Sequence, residues 1–325
     1  MKQNLPVAII ADVRYTQHLT GPGQPESPAR TTSIIKALED AGLKTSQNTL
    51  LPREATDQEI LLCHTPAYLQ LVKDEIKLCA SSPWQDGSLC LSTGDVQISP
   101  ASLEIARLAV GGALVAVDAV MQQKAASAFC VVRPPGHHAC SNLGMGFCLF
   151  NNIAIAARYA QKHYQIERVL IVDWDIHHGN GTQEIFEEDP TVFYFSTHRA
   201  HYYPPGTGLA KQKGVGKGLG TVMNFPIEAG PLDREEVINA IQNNLKAAMK
   251  SFKPQLVLIS AGFDAHHRDP IGGFHLTEDD FAILTHSVQE IANAYAGGKL
   301  ISILEGGYDL VGLAASAVSH VKALI

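Results

Sequence analysis

The sequence predicts an α/β fold: one domain built on a mainly parallel sheet with helices on both faces. Three observations carry this. Short apolar runs read as buried strands. They alternate with stretches of helical character, the pattern of a sheet covered on both sides. No linker, low-complexity segment or internal repeat divides the 325 residues, so the expected domain is 1–325.

Taken in order, Val7–Ala11 is the first buried strand, and Asp12 follows it. The loop 21–28 is rich in Gly and Pro. Ser27-Pro28 then reads as a helix start, a cap residue before proline in the first turn. Ile34, Ile35 and Leu38 give that helix an apolar face, and Gly42 ends it. Pro66–Leu78 and 100–123 are expected helices, the second small and apolar enough to pack on a sheet. Residues 128–132 are the next strand, 151–163 a helix and 169–172 a strand. A short helix at 182–187 precedes strands at 192–196 and 221–227. Asp233 and Glu236 form a capping-box pattern before a long helix to about Ser251. Strand 256–260 follows, then a helix opened by Thr277 and Asp280, then the last strand, Leu300–Leu304.

Composition narrows function. The formal net charge of −7 gives no electrostatic footprint for nucleic acid. No N-terminal apolar run has the length of a signal peptide or membrane span. The six cysteines contain no C-x-x-C pair and read as free thiols in a reducing cytoplasm. Cys148, within an apolar run, reads as packing.

Chemistry concentrates where strands end. Val172 leads into Asp173, Asp175 and His177, which share one side if the segment is extended. Such a grouping is costly inside a fold unless a positive charge sits among it, and a divalent metal is the simplest candidate. The bland alternative is a strand end with solvated acids. Three more apolar strands end in His137-His138, in Asp264 and in Gly306-Gly307-Tyr308. In a parallel sheet all of these lie at the carboxyl edge, where ligands bind. Four such endings on one edge favour a shared site. Asp175, His177 and Asp264 would supply three metal ligands and leave coordination open for water and substrate. The metal would polarise a carbonyl and activate water, the histidine pair would relay protons, and Tyr308 would donate to a developing oxyanion. That chemistry is hydrolysis of an amide.

Four motifs, Arg133-Pro134-Pro135-Gly136-His137-His138-Ala139, Asp173 to Gly181, Ala261-Gly262-Phe263-Asp264-Ala265-His266 and Leu304-Glu305-Gly306-Gly307-Tyr308, resemble those of the zinc-dependent histone deacetylase family. The likeness is to its class II branch and the bacterial histone deacetylase-like amidohydrolases, from about Pro25 onward. It implies the arginase–deacetylase fold, with a parallel sheet of eight strands. It implies zinc on Asp175, His177 and Asp264, a donor set that equally suits iron(II). His137 and His138 match the acid–base histidines, Asp173 and Asn180 their hydrogen-bond partners, and Tyr308 the carbonyl-polarising tyrosine. Asp173 favours imidazolium more than Asn180 does, so His138 is the better general base. Gly146 and Phe147 match the acyl-lysine channel, Arg30 an arginine beneath the site, and Asp95 a rim residue that holds the substrate backbone. The second channel aromatic falls on Pro204 without a gap, or on Tyr203.

The resemblance also implies two monovalent cation sites holding structural potassium. One uses the Asp175 side chain, Ser196 and the carbonyls of Asp173, His177 and Thr197; the other lies around Phe186, Asp189 and Val192. The implied substrate is acylated lysine in a protein or peptide, or an acylated small amine. In the polyamine-selective animal branch a glutamate follows the Asp-Pro after the third ligand; here that position is Ile271. Gly214 to Gly220 lacks the context of a phosphate loop and reads as a surface loop. A non-catalytic acyl-lysine binder is disfavoured by the presence of His137, His138 and Tyr308. A binuclear ureohydrolase lacks its extra acidic ligands, and a serine hydrolase its G-x-S-x-G elbow.

Overall fold

The computed structural model describes residues 5–85 and 87–325. Strand β1 (Val7–Ala11) buries both faces: Ala8 and Ile10 join one apolar layer, Val7, Ile9 and Ala11 the other. This is the period of two read on a sheet covered on both sides. After α1 (Ala29–Asp40), β2 (Thr49–Leu50) pairs with β1 in parallel at the sheet edge. Helices α2 (Asp57–Ile60) and α3 (Pro66–Leu78), the small antiparallel pair β3 (Leu89–Cys90) and β4 (Gln97–Ile98), and α4 (Ser102–Met121) lead to β5 (Ser127–Val131). Then come α5 (Asn152–Tyr164), β6 (Val169–Asp173), α6 (Asn180–Phe186), β7 (Val192–Arg199) and β8 (Val222–Ile227). Helices α7 (Asp233–Asn239) and α8 (Lys246–Phe252) flank a π-helical segment, Ala240–Leu245. Strand β9 (Leu256–Ala261), α9 (Glu278–Tyr295), β10 (Leu300–Leu304) and α10 (Leu310–Leu324) complete the chain.

The main sheet has eight strands in the order β2-β1-β5-β10-β9-β6-β7-β8, all pairs parallel. Helices α3, α4 and α5 cover one face, and α1, α7, α9 and α10 the other. This α/β architecture, eight parallel strands covered by helices on both faces, is the one the resemblance implies. The last two strands insert between β5 and β6. The four strands with chemistry at their ends, β5, β10, β9 and β6, are therefore consecutive neighbours at the centre of the sheet.

Several local expectations need correction. The apolar runs account for seven strands; β2 has two half-buried residues at an edge and no pattern to mark it. The helix start at Ser27 is not a side-chain cap: α1 begins at Ala29, and the Ser27 carbonyl accepts from Arg30 N at 3.1 Å. The capping box of Asp233 and Glu236 does not form. Asp233 lies inside α7, and its carboxylate instead accepts from the backbone amides of Gly230 (3.0 Å) and His275 (3.1 Å). A tertiary partner outcompetes the local one. The box of Thr277 and Asp280 does form. Helix α10 has no counterpart among the expected elements; Asp309 caps it, accepting from Gly312 N at 2.7 Å. No helix among the described residues is long and apolar enough to cross a membrane, and all six cysteines are free thiols.

Candidate active site

The central strands deliver their polar ends to one place. Asp173, the last residue of β6, is fully buried, and its Oδ2 accepts from the Tyr194 hydroxyl at 2.9 Å. The same oxygen lies 3.1 Å from His137 Nδ1. Beyond β6, Asp175 and His177 meet Asp264 from the end of β9, and one donor atom of each lies within 4.8 Å of the others. His177 Nδ1 is 3.0 Å from Asp175 Oδ1 and 3.1 Å from Asp264 Oδ2. Backbone amides orient both carboxylates: Gly306 N donates to Asp175 Oδ2 at 2.8 Å, Ile176 N to Asp264 Oδ1 at 2.9 Å.

This donor set suits a cation. Both carboxylates have no solvent exposure. Burial and the nearby Asp175 charge raise the Asp264 carboxyl above the usual range. Two buried carboxylates side by side cost free energy unless a positive centre lies between them. A Cβ on Gly262 would meet the Asp175 carboxylate, and one on Gly306 those of Asp264 and Asp175. The two glycines leave a cradle that any other residue would fill.

The histidine pair comes from the loop after β5. His137 and His138 have ring centroids 4.0 Å apart. His138 Nδ1 is 2.8 Å from Asn180 Oδ1, an atom that only accepts, so Nδ1 carries the proton and Nε2 is the free base. The two rings titrate in opposite directions. Burial alone lowers His137, but the charges of Asp175, Asp173 and Glu305 outweigh it and raise the pKa. Burial lowers His138, and its neighbours His137 and His177 lower it further. Gly146 packs against the His138 ring with φ of +55°, so a side chain there would be both strained and obstructed.

Above these groups lies a cavity of ≈ 250 Å³, lined by Asp95, His138, Gly146, Phe147, His177, Tyr202, Tyr203, Ile271 and Tyr308. Phe147 and Tyr308 meet edge to face at 6.0 Å. Arg30 braces the tyrosine loop from below: its Nε donates to the Gly307 carbonyl at 2.6 Å, and its guanidinium lies 5.0 Å from the Tyr308 ring centroid.

A model of the histone deacetylase domain matches residues 24–324. This chain belongs to the histone deacetylase family. It is 41% identical over 98% of its length to an uncharacterized protein of Synechocystis, covering 99% of that protein. It is 36% identical to the histone deacetylase-like amidohydrolase of Pseudomonas aeruginosa, covering 90% of this chain and 75% of the relative. To the polyamine deacetylase HDAC10 of Danio rerio it is 38% identical over 96% of its length, spanning 46% of that longer protein. The crystal structure of the HDA15 HD domain superposes with a TM-score of 0.90 at 36% identity, covering 98% of this chain and 89% of that one. The chain is accordingly a hydrolase of the deacetylase class.

Of the two candidates for the second channel aromatic, Tyr203 lines this cavity. Its ring lies 5.2 Å from that of His138, and its hydroxyl donates to Asp95 Oδ1 at 3.1 Å. Pro204, the gapless alternative, is buried and does not line the channel; it lines a neighbouring cavity with His178 and His198. Asp95 also accepts from Gly146 N at 2.6 Å, which joins the two walls at the mouth.

The residues matched to the first cation site lie at the carboxyl end of the sheet, and those matched to the second at its amino end. Asp173 and Ser196 pair across β6 and β7, and the Ser196 hydroxyl is 2.8 Å from His198 Nδ1. The Thr197 hydroxyl is buried with no hydrogen-bond partner among the described residues. The Asp189 side chain is taken by Arg158 and by Thr191 N, at 2.7 Å from the latter, and Arg158 lies over the Phe186 ring. Val192 opens β7 and is fully buried.

Four residues of the site have no role in the motif reading: Tyr194, Tyr202, Glu26 and Glu305. Tyr202 stacks on His177 at 5.5 Å and donates to the Ile271 carbonyl at 2.7 Å. Glu26 is fully buried between Arg30 (3.1 Å) and Arg133 (2.7 Å). Glu305 carried a local signal, a charge directly after the apolar run of β10; Glu26, in the Gly- and Pro-rich loop, carried none.

Proposed function

We propose that this chain is a metal-dependent amidohydrolase that removes acetyl or other acyl groups from lysine side chains of proteins or peptides. The carrying observation is the convergence of the Asp175, His177 and Asp264 donors within 4.8 Å of one another, with His177 also lining the cavity that His138, Phe147, Tyr203 and Tyr308 line. In this reading the three residues hold zinc, with iron(II) an equal fit to the donors, and residues 1–325 form one catalytic domain. A divalent ion there supplies Lewis acidity, polarising the acyl carbonyl and lowering the pKa of water.

The protein's own groups do the rest. Phe147 and Tyr203 flank the aliphatic stem of the lysine and exclude water. Tyr308 donates to the oxygen that becomes negative. His138 accepts a proton at Nε2, and His137, kept cationic by Asp173, is the complementary acid for the leaving amine. Structural potassium belongs to the same reading. The all-oxygen donors around Asp175, Ser196, Thr197, Asp173 and His177 suit a hard monovalent ion, as do the carbonyls of Phe186, Asp189 and Val192. The free thiols fit a cytoplasmic location.

His138→Ala is expected to cost more turnover than His137→Ala, in the range of about 10²–10⁴-fold typical of a lost general base. The sign follows from the two shifts. A lowered pKa puts protonation of His138 on the acidic limb of the pH–rate profile, and a raised one puts loss of the His137 proton on the basic limb. Profiles in which His137→Ala erases the acidic limb would exchange the roles.

A second reading is deacylation of polyamines, favoured by the polyamine deacetylase relatives and the carboxylate of Asp95 at the mouth. Ile271 argues against it. An apolar side chain there lacks the Coulomb attraction, about 1–4 kcal/mol at short range, that selects a nearby ammonium. Acyl-lysine peptides are therefore expected to exceed acetylspermidine and acetylputrescine in kcat/KM, with Ile271→Glu moving the ratio towards polyamines. A wild-type preference for acetylpolyamines of about tenfold, 1.4 kcal/mol, reverses the substrate assignment and leaves the hydrolase intact.

A further inference from the structure

We infer that Glu305 is a positioning residue for the histidine pair, acting through the backbone of His137. This rests on the proposed deacylase reading, in which that pair moves the protons. Glu305 has no solvent exposure. One carboxylate oxygen, Oε2, accepts from Gly136 N at 2.7 Å and from His137 N at 3.1 Å. The other, Oε1, accepts from the Ser260 hydroxyl on β9 at 3.0 Å. The Glu305 amide donates to the Ala261 carbonyl at 3.2 Å, and its carbonyl accepts from Arg30. One side chain thus joins the loop after β5 to β9 while its backbone opens the Gly306-Gly307-Tyr308 loop.

The local sequence explains the need. Pro134 and Pro135 carry no N–H, so Gly136 and His137 hold the next backbone donors after Arg133, in a fully buried segment outside any strand or helix. Buried amides require an acceptor, and no regular ladder provides one here. The carboxylate that satisfies them also sets where the His137 Cα sits relative to Asp173. Burial raises Glu305 to about 7, against the pull of His137 and of the amides. The tie does not depend on that charge. A neutral carboxyl still offers one oxygen to the amides and turns the other to Ser260 as a donor.

That property gives a test. Glu305→Gln keeps an acceptor for both amides and gives Ser260 a donor, so kcat is expected within about threefold of wild type. Glu305→Asp keeps the charge but falls one methylene short. Its kcat is expected to drop at least about tenfold, with KM within about twofold and bound metal unchanged, because small misplacements of a reacting group are costly. A Glu305→Asp enzyme within threefold of wild-type kcat overturns the inference. So does a Glu305→Gln enzyme as impaired as Glu305→Asp, or a loss carried by KM. Should Glu305→Asp not fold, Ser260→Ala tests the tie through the other oxygen: a kcat loss of about threefold or more at constant KM supports it, and an unchanged kcat overturns it. A wild-type chain inert on every acylated amine sinks the functional reading and this inference together; an active wild type with an unmoved Glu305→Asp sinks the inference alone.

Discussion

Asp175→Ala, His177→Ala and Asp264→Ala are each expected to lose bound metal and turnover together. The reason is geometric: the three donors converge within 4.8 Å, and no other such group of metal-ligating side chains is found among the described residues. Removing any one leaves two protein ligands, too few to hold a divalent ion against water and its competitors. The fold should survive. Replacing Asp264 by alanine removes a buried carboxylate that already sits beside the Asp175 charge, which relieves repulsion. Metal content by elemental analysis, far-UV circular dichroism and deacetylation rate, taken on the same preparations, decide the matter. Chelator treatment of the wild type should abolish activity, with zinc or iron(II) restoring it. Any of the three variants retaining stoichiometric metal and wild-type turnover sinks the ligand assignment.

Tyr308→Phe is expected to bind metal and a hydroxamate inhibitor as wild type does, and to lose turnover by about 10²–10³-fold. Loss of one preorganised oxyanion donor costs roughly 3–4 kcal/mol in kcat. The hydroxyl belongs to a ring held in place from several sides. Arg30 lies over it, Phe147 meets its edge, and Asp269 accepts from Tyr308 N at 2.7 Å. Phenylalanine keeps all of these contacts, so the substitution removes the donor and little else. A kcat within about threefold of wild type, under 1 kcal/mol, would make the tyrosine a packing residue.

Much of this molecule was legible before any coordinates. The strands announce themselves because both faces of the sheet are buried, which turns each into a run such as Val169 to Val172. The polar groups after those runs stand out because carboxylates and imidazoles are costly next to a core. The strand period would place Asp173, Asp175 and His177 on one side, but β6 ends at Asp173 and the other two follow in bends. Other features left no local trace. Strand β2 is too short to show a period, and Asp233 looks like a cap because its real partner, His275, is remote in sequence.

The alternation of strands and helices, the mainly parallel sheet and the residue types at the strand ends were therefore determined by the sequence itself, through hydrophobic periodicity and the cost of buried charge. The tertiary structure alone decided the strand order. Helical crossovers leave open which strand lies beside which, and only the packed sheet slots β9 and β10 between β5 and β6. That order carries Asp264 to Asp175 and His177, and Glu305 to the amides of Gly136 and His137. It also placed Tyr203 rather than Pro204 on the cavity wall, because the path of a loop past a cavity depends on what it packs against. Contacts between residues more than a hundred positions apart, such as Gly306 N to Asp175, follow from chain topology, which no local pattern encodes.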